Sequence, residues 1–202
     1  MKIKCCGFTR VADVRAAVAL GVDAIGLNLA RGPRKITTEH AAELVRVIPP
    51  LVTAVALFVD ADETSILSAM RQTRCTVIQL HGEESPELAE RLRTRFSVIK
   101  AFAIKDAAAL AAVHGYPADA YLLDAAVPGI VGGSGVAWDH HLLRGITFER
   151  PVILAGGLTP DTVGAAIAAT SPYGVDVASG IESAPGIKDA QRMAAFVTAA
   201  RK

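Results

Sequence analysis

The chain has 202 residues, 51% hydrophobic and 20% charged, enough for one compact domain over 1–202 and too few for two of ordinary size. Lys plus Arg number 21 against 20 Asp plus Glu, a net charge of +1 that gives no electrostatic reason to expect nucleic acid or an anionic membrane as partner. The longest apolar stretches, such as LVTAVALFV at 51–59, fall short of the ~20 residues a spanning helix needs; with no secretory leader pattern in MKIKCCGF and three cysteines, a cytoplasmic protein with reduced thiols is expected.

Short β-branched or apolar runs alternate with Ala/Leu/Glu/Arg-rich segments along the whole chain, the pattern of repeated βα units. Strands are predicted over 2–6, 23–29, 51–59, 75–80, 97–102, 119–124, 151–155 and 173–178. Helices are predicted over 11–20, 38–48, 63–73, 86–95, 106–113, 139–143, 160–169 and 189–201. Ser85-Pro86-Glu87 and Thr159-Pro160-Asp161 each place a hydroxyl N-cap before proline at the first helical position, and Gly21 is a stop for the first helix. Eight such pairs match a small α/β TIM barrel, a single (β/α)8 domain of parallel strands surrounded by helices. An open doubly wound sheet is the alternative, because periodicity does not show closure. In a barrel the loops after the strands build the active site, and the two longest here are 125–137 and 179–188.

Neighbours on a strand point to opposite faces, so Cys5 and Cys6 cannot both face the barrel interior. Lys4 and Cys6 share a face, and an ammonium below the thiol would lower its pKa from about 8.5, making Cys6 a candidate base or nucleophile. The plain alternative is that both cysteines are small buried hydrophobes. No Cys-x-x-Cys spacing is present and His140–His141 is the sole histidine pair, so no metal is expected. In ARGPRKIT at 30–37, Arg31, Arg34 and Lys35 form either a solvated basic loop or a fork for a substrate carboxylate. His81 ends the fourth strand as a pocket or wall residue, while His40, His114, His140 and His141 are expected to face solvent.

Asp124 closes the apolar run AYLLD, either capping a turn or standing across the mouth from Cys6 as an acid opposite a base. Asp176 on the eighth strand is a second polar group near the same place or the counter-ion of Lys4. Glycine-rich turns follow the last three predicted strands at 129–135, 155–160 and 178–186. Those after the seventh and eighth strands lie where barrels of this class commonly hold a phosphate.

Taken in order, KCCGFTRVADV, GPRKIT, VIQLHGEE, LLDA, GGSG, LAGGLTPDTV and YGVDVASGIESAPGIKD resemble the motifs of the phosphoribosylanthranilate isomerase family of tryptophan biosynthesis. The resemblance runs from residue 2 to about 196. It implies an Amadori rearrangement of N-(5-phosphoribosyl)anthranilate to 1-(2-carboxyphenylamino)-1-deoxyribulose 5-phosphate, with Cys6 in the general-base position and Asp124 in the general-acid position. Arg34, picked out by the proline before it, matches the arginine that holds the anthranilate carboxylate. Gly156–Gly157 and Ser179–Gly180 match the phosphate turns, and Gly133 and Gly135 fall in the sixth loop. His81 and Asp176 are further substrate-binding candidates. No cofactor is implied, and the partner is a small phosphorylated substrate, bound by a monomer or a homodimer.

Two positions depart from the family: Cys5 stands where isoleucine is usual, and Ala178-Ser179-Gly180 replaces Ser-Ser-Gly. The related histidine-pathway isomerase has aspartate where this chain has Cys6. A non-catalytic barrel that binds a phosphorylated sugar is the rival outside enzymes.

Overall fold

The computed structural model describes residues 1–125, 143 and 145–202. Eight parallel strands, β1 (Lys2–Cys6), β2 (Ala24–Asn28), β3 (Thr53–Phe58), β4 (Val77–Leu80), β5 (Ser97–Ile104), β6 (Ala120–Ala125), β7 (Val152–Leu154) and β8 (Gly174–Val177), are hydrogen-bonded in chain order. The ring closes where β8 returns to β1, pairing Lys4 with Asp176 and Cys5 with Val177. The chain is therefore a closed (β/α)8-type barrel and not an open sheet.

Helices α1 (Val11–Ala19), α2 (Thr38–Val45), α3 (Glu63–Thr73), α4 (Pro86–Arg93), α5 (Ala107–Ala111), α6 (Val163–Thr170) and α7 (Ala190–Ala200) accompany the strands. Among the described residues, no helix is long and apolar enough to cross a membrane. The Ser85 hydroxyl accepts from Leu88 N at 3.3 Å with Pro86 at the helix start, as predicted. Gly21, at φ +76°, ends α1 with its amide on the Val18 carbonyl.

The other expected cap fails. Thr159 instead opens a turn, its own amide donating to Thr162 Oγ1 at 2.9 Å, and α6 begins three residues later than predicted, at Val163. The stretch 179–188, expected as a loop, is ordered as a 3-10 turn (Ser179–Ile181) and a small hairpin of β9 (Glu182–Ala184) and β10 (Ile187–Lys188). The expected helix over 139–143, the loop over 125–137, and Gly133, Gly135, His140 and His141 fall on residues outside those described, apart from 125 and 143.

Strand alternation sorts the side chains into two cores. Outward residues such as Ile3, Cys5, Ile25, Ile78 and Tyr121 pack with the helices. Inward residues Val55, Ile99, Ala101, Leu122, Ile153 and Ala155 fill the barrel axis. At the N-terminal end of the strands, the floor, a cavity of about 330 Å³ is lined by residues that include Lys2, Asp23, Leu51, Thr53, Ser97 and Tyr173.

Candidate active site

The candidate residues converge on the opposite end, the mouth formed by the C-terminal ends of the strands. Cys6 closes β1 facing inward, two residues above Lys4, whose ammonium lies 2.9 Å from Asp176 Oδ1 with both side chains buried. Asp176 is thus the counter-ion of Lys4. Gly26, the β2 partner of Cys6, leaves the space that the thiol occupies: a Cβ there would sit 2.6 Å from Cys6 Sγ. Sequence reading passed over Gly26, because its need arises from register and not from any local motif.

Lys4 does not give Cys6 a depressed pKa. Burial pushes the thiol up, Lys4 pulls back part of that rise, and Asp176 adds to it, so the thiol titrates above its ordinary value. The expectation counted the ammonium but not the desolvation. Cys5 points into the helix layer, where burial pushes its thiol up to about 12, so it is packing and not a nucleophile.

On β6, Asp124 is buried, with Ala103 of β5 as its strand partner. Two strands, β7 and β8, separate β6 from β1 on the shorter way round the ring. His81 Nε2 stands 3.4 Å from Asp124 Oδ2, so the histidine predicted to line the pocket lies against the candidate acid. His40 is half-buried: its Nε2 lies 2.7 Å from the Thr9 carbonyl, while its Nδ1 lies 3.1 Å from Glu43 on the solvent side. His114 is exposed, as expected, and stacks on Phe148.

Of the two arginines in the second loop, Arg31 is exposed and Arg34 is half-buried. Arg34 forks onto Glu182, Nε to Oε1 at 2.9 Å and a terminal nitrogen to Oε2 at 2.7 Å. Glu182 also accepts from Lys188 Nζ at 2.7 Å, and the same ammonium donates to the Cys6 carbonyl at 2.6 Å. One buried carboxylate therefore fixes the arginine and ties the β9–β10 hairpin to the end of β1. Burial alone would raise the Glu182 carboxyl, but the hydrogen bonds from Arg34 and Lys188 outweigh it and hold the group below the usual range. The fork uses one edge of the guanidinium, and its other terminal donors keep the geometry to grip a second carboxylate. Glu182 and Lys188 were missed from sequence; an acid and a base six apart in a Ser/Ala/Pro/Gly loop carry no signal until the hairpin buries them.

The turn after β7 holds Gly156 and Gly157 at φ +86° and +66°, and the 3-10 turn after β8 begins with Ser179 and Gly180. A Cβ on Gly180 would collide with the Leu158 carbonyl oxygen, so the two turns nest against each other. Nested glycine turns at this rim suit close backbone approach to an anion.

Two substitutions test this geometry. Gly26→Ala should displace the Cys6 side chain, costing about 1–3 kcal/mol in urea unfolding and changing the rate of Cys6 alkylation in a Cys5→Ser background. Glu182→Gln should cost about 3–5 kcal/mol at neutral pH by leaving buried cations unpaired. Because the folded Glu182 pKa is depressed, its contribution is complete above the unfolded value, about 4.3, and is lost as pH falls through the folded value. The difference between parent and Glu182→Gln should therefore shrink in acid unfolding curves.

Comparison with known proteins gives the family. Residues 3–199 match the family model described as N-(5'-phosphoribosyl)anthranilate (PRA) isomerase. The chain is 44% identical over 204 residues to the N-(5'-phosphoribosyl)anthranilate isomerase of Moorella thermoacetica, covering all of this chain and 90% of that protein. It superposes on the phosphoribosyl anthranilate isomerase of Thermotoga maritima with a TM-score of 0.94 at 32% identity, covering 100% of this chain and 98% of that one. Another structure of the T. maritima enzyme describes it as dimeric. A phosphoribosyl anthranilate isomerase solved with reduced 1-(o-carboxyphenylamino)-1-deoxyribulose 5-phosphate matches with a TM-score of 0.89 at 31% identity, covering 100% and 98% of the two chains. With a family match over nearly its whole length and the family's barrel beneath it, this chain belongs to the phosphoribosylanthranilate isomerase family.

Proposed function

We propose that the chain carries out the family's isomerisation by proton transfers between two buried groups on opposite sides of the mouth, Asp124 as general acid and Cys6 as general base. The observation that carries these roles is their placement: a thiol beside an ammonium at the end of β1, and a carboxyl against an imidazole at the end of β6. Asp124 gives its proton to the ribose ring oxygen, the bond from that oxygen to C1 breaks, and the anilino nitrogen takes up the charge as an iminium. Cys6, acting from the thiolate form that the Lys4 ammonium favours and burial opposes, then removes the proton on C2, and the electron pair closes the C1–C2 double bond of an enolamine. Loss of the hydroxyl proton on C2 and protonation of C1 give the ketone. Return of one proton from Cys6 to Asp124 through solvent restores both groups.

The remaining roles follow the charge of the substrate. The free edge of the Arg34 guanidinium takes the anthranilate carboxylate, and the turns at Gly156–Gly157 and Ser179–Gly180 take the phosphate. Asp176 serves by holding Lys4 beneath the thiol. Gly133 and Gly135, the remaining substrate-binding candidates, lie outside the described residues, and no cofactor has a step in this reading. Residues 1–202 act as one catalytic domain, and the three free, buried cysteines suit a cytoplasmic protein.

The assembly we favour is a homodimer joined through the barrel floor. Leu51 is 96% exposed at the edge of the floor cavity, with Tyr173 and Met1 also exposed nearby in the same face or its strand start. A two-fold axis lets each Leu51 enter the partner's cavity, a self-complementary knob and hole. The dimeric T. maritima relative supports this reading.

Purified protein should turn over N-(5-phosphoribosyl)anthranilate with a chelator present. Cys6→Ser should reduce the rate by about 10²–10⁴-fold while Cys5→Ser stays within about threefold of the parent. Equal activity of the two variants would remove Cys6 from the mechanism. Light scattering should show a dimer that Leu51→Glu converts to monomer; a monomeric parent at micromolar concentration would reject the floor interface.

A further inference from the structure

One buried side chain beneath the mouth takes no part in the mechanism just described. Gln79 faces the barrel interior from β4 and is fully buried. Its amide nitrogen lies 2.9 Å from His81 Nδ1, while its carbonyl oxygen Oε1 has no hydrogen-bond partner among the described residues. His81, two residues further along the same face, brings Nε2 to 3.4 Å from Asp124 Oδ2. On β5, the strand between them, Ala103 is paired with Asp124. Gln79, His81 and Asp124 thus form a run of polar groups from the interior to the candidate acid.

A neutral imidazole has one nitrogen that donates and one that accepts. With the Gln79 amide N–H donating to Nδ1, the ring hydrogen is on Nε2 and points toward Asp124 Oδ2. A carboxyl oxygen that faces this donor cannot direct its own proton along the same line, so the acidic proton is carried by Oδ1. After that proton has gone to the sugar, the same Nε2–H faces the new carboxylate. The opposite tautomer would set a bare nitrogen lone pair against Asp124 and disfavour its ionised form.

The orphaned Oε1 separates this reading from a purely structural one. An unsatisfied buried carbonyl oxygen costs about 1–3 kcal/mol, which an apolar side chain of the same shape would avoid. Stability therefore does not explain a glutamine at 79. We propose that Gln79 is a positioning residue for proton transfer, its amide N–H locking His81 in the Nε2–H tautomer that orients the proton of Asp124. This rests on the assignment of Asp124 as general acid.

The test combines imidazole ¹⁵N NMR with single-turnover kinetics. In the parent, the His81 resonances, assigned by their loss in His81→Asn, should show a hydrogen on Nε2 and none on Nδ1. Gln79→Met should give a mixture of tautomers, slow the single-turnover rate about tenfold with KM within about twofold, and leave the melting temperature unchanged or higher. Gln79→Glu, an acceptor toward Nδ1, should reverse the tautomer and slow the reaction at least as much. A parent with the hydrogen on Nδ1 overturns the proposal, as does Gln79→Met with parental rate or with a lost melting temperature and an unchanged rate. Asp124→Asn isolates the premise: if that variant keeps turning over, the acid assignment falls, while the NMR measurement still decides the Gln79–His81 bond.

Discussion

The pairing of β8 back onto β1 is the contact on which the rest of the molecule depends. It joins segments about as far apart in sequence as the chain allows, setting Lys4 against Asp176 at the bottom of the mouth. Immediately above, the same seam brings the β9–β10 hairpin to the end of β1, where Lys188 holds the Cys6 carbonyl. Cys6, Arg34 and the turn at Ser179–Gly180 are all referenced to this line. Such long-range pairing is entropically costly to form, and the site exists only once the ring has closed.

The charges along the seam are a poor bargain as stability alone. Lys4, Asp176, Glu182 and Lys188 are all buried, and removing such ions from water costs more than an apolar core would. What the arrangement supplies is direction. Glu182 fixes the guanidinium of Arg34 by one edge, and Asp176 keeps the Lys4 ammonium beneath the thiol. Each acid meets its cation inside the fold before any substrate arrives, so binding need not order these side chains afresh.

The eight strands were legible because β-branched and apolar runs are local and recur at the spacing of βα units, and their boundaries fall within about two residues of those predicted. Alternation was enough to turn Cys6 inward and Cys5 outward, and strand ends were enough to nominate Asp124. The sign of the Cys6 shift was not legible, because it depends on how completely the barrel excludes water, which emerges from the packing of Gly26 and its neighbours and not from the nearest charge. Glu182 was invisible for a related reason: its partners arrive from residues 34 and 188 through topology. The choice between the roles of Asp176 required the register of the closing strand pair. Thr159 shows a local signal losing to a local competitor: the Thr162 amide that a cap would have satisfied donates to the Thr159 carbonyl at 3.2 Å, and the Thr159 hydroxyl lies 3.1 Å from the Thr162 hydroxyl.

The side chains inside the barrel also divide it. Among the described residues, Leu122 and Gln79 are fully buried in the interior, while Val55, Ile99 and Ile153 of the same interior layer line the floor cavity. The two ends of the barrel are thus separated by packed side chains, and residues of the floor can vary in size and charge without entering the mouth.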